Sequence, residues 1–318
     1  LQGLSVGKSH LAVRRDFQMW RRTRLHAILH DPILMLLITR PDFPMTDSIS
    51  VRFWGVRGSI PCPGPDTVRY GGNTSCVEVR CGEHLLIFDA GSGLRALGAA
   101  LDANDTEIDL FLSHGHVDHM IGLPFFSPLM EKGRRLRIWA GGLGATGGVK
   151  NAISALMRFP LFPIGIDAAQ AGVSFHDFER GEALTPRKGI VVRTATLNHP
   201  GGATGYRIDY AGKAICYITD NDLGPGAIDP ALLSLAKGAQ LVITDATYTD
   251  AELPDHAGWG HSSWQQAVRF ADAAGVKTLC LFHHDPDHSD AVMDQIAADA
   301  AKARPGTLVA KEGMSLSI

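Results

Sequence analysis

No apolar stretch in this sequence reaches the ~18 to 20 residues that span a bilayer. The longest, Ile33-Leu34-Met35-Leu36-Leu37-Ile38, is far shorter, so no membrane partner is expected. No metal-type Cys-x-x-Cys spacing occurs among the five cysteines, Cys62, Cys76, Cys81, Cys216 and Cys280. Two of them fall inside apolar strand-like runs, as reduced packed thiols do, and a reducing cytoplasm is the simplest setting. An excess of charge is also lacking. A formal net charge of −3 gives no global basic field to recruit a nucleic-acid backbone, although a local basic rim stays compatible with it. There is no internal repeat or low-complexity tract, and the Gly-rich turn Asp89-Ala90-Gly91-Ser92-Gly93 lacks the Lys-Ser/Thr ending of a phosphate loop, so it reads as structural. What is present is a 318-residue chain, 45% hydrophobic and 20% charged, enough to bury the core of a soluble enzyme.

The chemistry concentrates in Ser113-His114-Gly115-His116-Val117-Asp118-His119, between the apolar run Ile108-Asp109-Leu110-Phe111-Leu112 and Met120-Ile121-Gly122-Leu123-Pro124. The run reads as a buried strand, so the histidines stand where it ends. One histidine beside a strand is usually a packed or solvated side chain. Three imidazoles and a carboxylate within six residues are the donor types that divalent cations take, and a metal is the first hypothesis.

Strands are expected at Ser50 to Val56, Cys76 to Arg80, His84 to Phe88, Ile190 to Thr196, Thr204 to Tyr210, Ala214 to Thr219, Leu241 to Thr244 and Thr278 to Phe282. Helices are expected at Leu94 to Leu101, Gly122 to Lys132, Val149 to Met157, Pro230 to Lys237, Ser262 to Ala274 and Ala291 to Ala303. Strands grouped in two halves with helices between them suggest two sheets face to face with helices outside. Residues 1 to 44 carry Arg14, Arg15, Arg21, Arg22 and Arg24, then an apolar patch broken by His30-Asp31-Pro32. They mimic a secretory signal but lack its cleavage site. They read as an extension of uncertain status ahead of one domain, 45 to 318, and no function is argued for them.

His-x-His-x-Asp-His after a strand resembles the signature of the metallo-β-lactamase-fold hydrolases, and the resemblance can be followed over residues 46 to 318. It is closest to the ribonuclease Z and cyclic-phosphate phosphodiesterase branch. It implies an αββα sandwich of two mixed sheets, with helices on both outer faces, and a site for two divalent metal ions, Zn2+ by default with Mn2+ as the alternative. By resemblance, His114, His116 and His199 hold one metal; Asp118, His119 and His283 hold the other; Asp220 bridges them. Each later ligand stands just past an expected strand. Adjacent His283 and His284 would point opposite ways, so only one can ligate; the family favours His283, leaving His284 to face substrate or pack. Asp222 competes with Asp220 but lies further into its loop, and His288 reads as the surface start of a helix.

The segments Thr244-Asp245-Ala246-Thr247-Tyr248 and Gly258-Trp259-Gly260-His261-Ser262-Ser263 resemble paired motifs in which an acidic residue orients a histidine that serves as general acid. Asp245 stands where the branch usually has glutamate, and the shorter carboxylate puts direct contact with His261 in question. Ser263 also suits a helix N-cap. Arg57 and Arg69, with Tyr70, are candidates for contacting a phosphate from the Gly/Pro-rich loop between Arg57 and Asn73. Arg158-Phe159-Pro160-Leu161-Phe162-Pro163 is forced into an extended path that could line a pocket. The expected function is hydrolysis of a small cyclic phosphate diester, a cyclic nucleotide or a phosphoribosyl cyclic phosphate, by attack of a metal-bound hydroxide that Asp118 orients. The alternatives are tRNA 3′-end processing of the ribonuclease Z type, or a β-lactamase or promiscuous ester or phosphotriester hydrolase. No long Gly/Pro-rich tRNA-holding arm stands out, so nucleic acid is not favoured as partner; a homodimer is left open.

Overall fold

The computed structural model describes residues 47–318; the reading of residues 1 to 44 lies outside them. Two seven-stranded sheets face each other. The first contains β1 (Ile49–Gly55), β2 (Cys76–Cys81), β3 (His84–Phe88), β4 (Glu107–Leu112), β5 (Arg135–Gly141) and β6 (Gly172–Phe178) in chain order, with β14 (Ser315–Ser317) added beside β1. The second contains β7 (Ala183–Arg187), β8 (Ile190–Leu197), β9 (Ala203–Tyr210), β10 (Lys213–Ile218), β11 (Leu241–Asp245), β12 (Thr278–Phe282) and β13 (Leu308–Val309).

Period-two alternation explains the layers, because successive side chains on a strand point to opposite faces. On β3, Leu86 and Phe88 join the core between the sheets, whereas Leu85 and Ile87 face the outer helices. On β12, Cys280 and Phe282 point inward and Leu279 and Leu281 outward. Strands buried on both faces read as unbroken apolar runs, as parallel strands under helices do. Outside the first sheet lie α1 (Leu94–Ala100) and α2 (Val149–Leu156), seated by Leu94, Leu97, Val149 and Ile153. Outside the second lie α3 (Pro230–Ala236), α4 (Trp264–Ala273) and α5 (Asp290–Ala303), seated by Leu232, Leu235, Ala267, Phe270, Met293 and Ile296. This is the αββα sandwich.

Ser263 caps α4 through a reciprocal box: its Oγ accepts from the Gln266 N–H at 3.0 Å and the Gln266 side chain accepts from the Ser263 N–H at 2.9 Å. Gly122 to Lys132 is not a helix. It forms two short 3-10 turns, Leu123–Phe125 and Ser127–Met130, because Pro124 and Pro128 remove the donors a continuous helix needs. Among the described residues no helix is long and apolar enough to cross a membrane.

The strand directions decide where side chains can meet. β3, β4, β5 and β6 run parallel, as do β10, β11, β12 and β13. Their carboxyl ends therefore lie along one edge of each sheet, the edge where open α/β sheets place their ligands. Asp89 follows β3, Ser113 to His119 follow β4, Asp220 follows β10, Asp245 ends β11 and His283 follows β12.

Candidate active site

At this edge the backbone takes conformations that side-chain-bearing residues avoid. Asp89 (φ 61°), Asp220 (φ 54°), His283 (φ 61°) and Ser59 (φ 60°) are four of the five non-glycine residues with positive φ among those described; the fifth, Ala211, sits in the hairpin turn between β9 and β10. Each costs about 1–2 kcal/mol relative to the right-handed region, and such strain gathers where function fixes geometry. In the first three it turns the chain sharply off a strand end. In the fourth it presents the Ser59 N–H to Oδ2 of Asp118 at 2.9 Å.

Two groups of donors result. Donor atoms of His114, His116 and His199 lie within 4.8 Å of one another, as do those of Asp118, His119, Asp220 and His283. Asp220 faces both. Its Oδ1 is 3.9 Å from His114 Nε2 and 3.7 Å from His199 Nε2; its Oδ2 is 3.2 Å from His119 Nε2 and 3.3 Å from His283 Nε2. Oδ2 of Asp118 is 3.1 Å from His119 Nε2 and 3.5 Å from His283 Nε2, and His116 Nδ1 is 3.1 Å from His199 Nε2. Ligand atoms around a tetrahedral ion with ~2.0–2.1 Å bonds stand roughly 3.3–3.4 Å apart, so these spacings suit a cation in each group.

The other ring nitrogens are held by the protein. His119 Nδ1 is 2.8 Å from Asp89 Oδ2, His114 Nδ1 is 3.0 Å from Ser113 Oγ, His199 Nδ1 donates to the Gly260 carbonyl at 2.9 Å, and His283 Nδ1 is 3.1 Å from Thr247 Oγ1. With those positions occupied, Nε2 of His114, His119 and His283 are buried without a hydrogen-bond partner. Buried polar atoms are rarely left so, and here each faces an Asp220 oxygen. Orientation of a ring by its second nitrogen is what metal-binding histidines need.

Charge points the same way. Asp89, Asp118, Asp220 and Asp245 are all buried, and among the described residues none of them pairs with a lysine or arginine. Burial alone would raise the Asp220 carboxyl; His119 and His283 overcome it and hold the group well below the usual carboxylate range. Asp118 is likewise lowered, against burial, by His119. Conversely, burial lowers the His119 imidazole, but the Asp220, Asp118 and Asp89 carboxylates push it well above its ordinary value. Burial and neighbouring His119 drive His114 well below its own. Carboxylates in a dry interior with no arginine or lysine call for a cation.

Beside this floor lies a second pair. Asp245 Oδ2 is 2.7 Å from His261 Nδ1, so the shorter carboxylate reaches. Its Oδ1 accepts from the Ser262 N–H at 3.0 Å and from the Thr247 hydroxyl at 3.1 Å, while Oδ2 also accepts from the Asp220 N–H at 3.1 Å. Burial would lower the His261 pKa, but the Asp245 charge and hydrogen bond outweigh it and push the ring up to about 9.

Residues 84–284 match the Beta-lactamase superfamily domain. The chain belongs to this superfamily. Ribonuclease Z of Haloarcula marismortui is 23% identical over 84% of the chain and 96% of that protein. Two solved structures have the same fold. A diphosphatase from the PhnP family (TM-score 0.63, 18% identity) covers 85% of this chain and 97% of its own, and human tRNase Z, short form (TM-score 0.61, 21% identity), covers 84% and 98%. The chain is a metal-dependent hydrolase of the metallo-β-lactamase fold.

Not every residue singled out in the sequence reaches this superfamily site. Arg57 is fully buried, donating through Nε to the Gly71 carbonyl at 2.8 Å and through one terminal nitrogen to the Asp285 and His288 carbonyls at 2.8 and 2.7 Å. It clamps loops together instead of meeting a phosphate. Arg69 pairs with Asp294 of α5 at 2.6 Å. His284 is buried, its Nε2 donating to the Ala310 carbonyl at 2.9 Å, with Tyr70 edge-on to its ring. His288 is buried against Glu252, not at the surface, and Asp222 accepts from the Gly224 N–H within its own turn. Arg158 to Pro163 presents Phe159 and Leu161 to solvent while Phe162 packs edge-on against Phe125.

Sequence reasoning missed the orienting residues, Asp89 above all. Asp89 receives the Ser113 N–H at 2.7 Å, the Ser113 hydroxyl at 2.8 Å and the Tyr217 hydroxyl at 2.8 Å as well as facing His119. The available signal was a carboxylate ending an apolar strand next to the histidine-bearing one. Two glycines make room for the floor: a Cβ on Gly58 would lie 2.3 Å from His283 Cε1, and one on Gly260 (φ +84°) would lie 2.4 Å from His199 Nδ1.

Proposed function

We propose that this hydrolase is a binuclear metal-dependent phosphodiesterase acting on a small cyclic phosphate diester, a cyclic nucleotide or a phosphoribosyl cyclic phosphate. One observation carries the reading: Asp220 turns one oxygen to each donor group while His261 stands against the same cluster, its ring 5.0 Å from that of His283 and 5.2 Å from that of His199. His114, His116, His199 and Asp220 Oδ1 would hold one divalent ion; Asp118, His119, His283 and Asp220 Oδ2 would hold the other. The imidazole content suits zinc, with manganese the alternative that carboxylates also accept. Such ions supply positive charge for phosphoryl oxygens and make hydroxide available near neutral pH.

The chain's own residues do the rest. Asp245 fixes His261 through Nδ1, which leaves Nε2 to give its proton to the departing alkoxide, an effect of ~10² to 10⁴ in rate for a poor leaving group. Asp118, tied by the Ser59 N–H, keeps its carboxylate directed at the floor. Substrate size is argued from charge and shape. A net charge of −3 gives little pull on a polyanion, and the segment between β5 and β6 folds back on the first sheet through α2 and buried Ile166. Five unpaired cysteines suit a reducing compartment such as the cytoplasm.

The names of curated relatives favour a second reading, cleavage at the 3′ end of precursor tRNA. Metal-loaded protein assayed on cyclic AMP, a ribose cyclic phosphate, bis(p-nitrophenyl) phosphate and precursor tRNA separates the two. Turnover of a cyclic diester supports the first; efficient tRNA cleavage with no small-diester turnover overturns it.

A further inference from the structure

We propose that Trp259 is the platform on which the nucleobase of the substrate stacks; the inference rests on the phosphodiesterase reading and adds what the diester must carry. A single exposed apolar side chain is ordinary on a protein surface. Trp259, 59% exposed, is held in a way that most are not. It lies between Gly258 (φ +82°) and Gly260 (φ +84°), a backbone path that lifts one side chain clear of the loop. Its backbone N–H donates to the His256 carbonyl at 3.1 Å, and its ring meets the His256 imidazole edge-on at 5.0 Å. His256 is itself stacked on Tyr248 at 4.1 Å and donates to the Glu252 carbonyl at 3.0 Å. Tyr248 reaches the His261 ring at 6.1 Å.

The residue after Trp259 accepts the His199 hydrogen bond, and the second one after it is His261. Two residues of chain span at most ~7 Å, so the indole is anchored on the His261 side of the floor, where the leaving oxygen departs. Other exposed apolar residues flank the same floor: Val117 between His116 and Asp118, and Ile60 after Ser59. A charged floor with an apolar, aromatic rim matches a ligand with an anionic phosphate and a flat ring. Base–indole stacking needs no particular base edge, so it selects for a base over none and discriminates weakly among bases.

The test is a double comparison on the metal-loaded enzyme. KM is measured for a nucleoside cyclic phosphate and for the matched 1-O-methyl-ribose cyclic phosphate in wild type, W259A and W259F. The preference for the base-bearing diester, as the ratio of the two KM values, falls roughly 5- to 150-fold in W259A and is largely kept in W259F. An unaltered preference in W259A overturns the proposal, as a surface for a protein partner would predict. Should wild type hydrolyse neither diester, the phosphodiesterase reading fails by itself. Nucleotide quenching of indole emission, present in wild type and diminished in W259F, still upholds the platform, and equal quenching removes it. A single-stranded oligonucleotide as competitor reports whether the base comes from a polynucleotide or a free nucleotide: inhibition weakened by W259A indicates the former, and inhibition by the mononucleotide alone the latter.

Discussion

The floor of the site and the loop from Tyr248 to His261 meet at His199 and Asp245, yet they are built on opposite terms. On the floor, the donors stand on or just past strand ends, and three of them, His114, His119 and His283, are oriented by a second residue and leave a buried Nε2 unpartnered. On the loop, contacts are ring against ring, two glycines set the path, and the largest side chain stands in solvent. The floor is organised by charge, the loop by shape. On the proposed function, that division would separate chemistry from choice of substrate.

Breaking the floor has the largest expected effect. Asp220→Asn takes the shared negative charge from both donor groups, and since cations contribute several kcal/mol of charge stabilisation, kcat/KM falls ~10³-fold or more. Elemental analysis should show the metal content per chain dropping. Normal content with full activity would refute the shared-carboxylate arrangement.

His261→Ala tests the boundary between the two regions. Turnover of an alkyl diester drops ~10² to 10⁴-fold, whereas p-nitrophenyl esters, whose leaving group needs little protonation, lose far less. Equal losses on both would exclude a general-acid role. Asp89→Asn is milder. It weakens the orientation of His119, so metal affinity in a chelator competition falls ~10- to 100-fold.

The pH profile sharpens the comparison further. In its proposed role His261 acts in its protonated form; burial lowers its pKa, but the Asp245 charge outweighs this and pushes it up to about 9. Activity on alkyl diesters is therefore retained at neutral pH and lost as pH rises through that value, while bound cations nearby pull the limb the other way. Asp245→Asn removes the raising charge, so the alkaline limb of kcat moves to lower pH. A limb that stays in place assigns it to another group. Smallest in its effect on catalysis is Arg57→Ala: three carbonyls lose their donor, costing about 3 kcal/mol of stability, while KM changes only a few-fold. A large rise in KM with unchanged thermal stability would return Arg57 to the substrate.

Much of the floor was legible because its information is local. Three histidines and an aspartate within six residues need no tertiary knowledge, and the family resemblance, with each residue just past an expected strand, pointed to His199, Asp220 and His283. Asp89 stayed hidden because only the parallel pairing of β3 with β4, Phe88 beside Phe111, brings it against Ser113. Arg57 was misjudged because a guanidinium serving carbonyls and one serving a phosphate have the same sequence signature. The periodicity of Gly122 to Lys132 concealed two prolines at spacings that a helix does not survive. Strand β5, Arg135-Leu136-Arg137-Ile138-Trp139-Ala140-Gly141, escaped notice because Arg135 and Arg137 break its apolar run, and β13 and β14 because two or three residues carry no period.

The floor draws on both sheets: Asp89 and Ser113 to His119 belong to the first, His199, Asp220, Asp245 and His283 to the second. Ions seated there would rivet the halves of the sandwich at one end; among the described residues no comparable donor cluster stands at the other. A ligand at 1,000 times its dissociation constant adds about 4 kcal/mol to folding stability, so a chelator should lower the melting temperature and first let the two sheets part at the catalytic edge. The metal that serves the reaction would then also be the hinge pin of the fold.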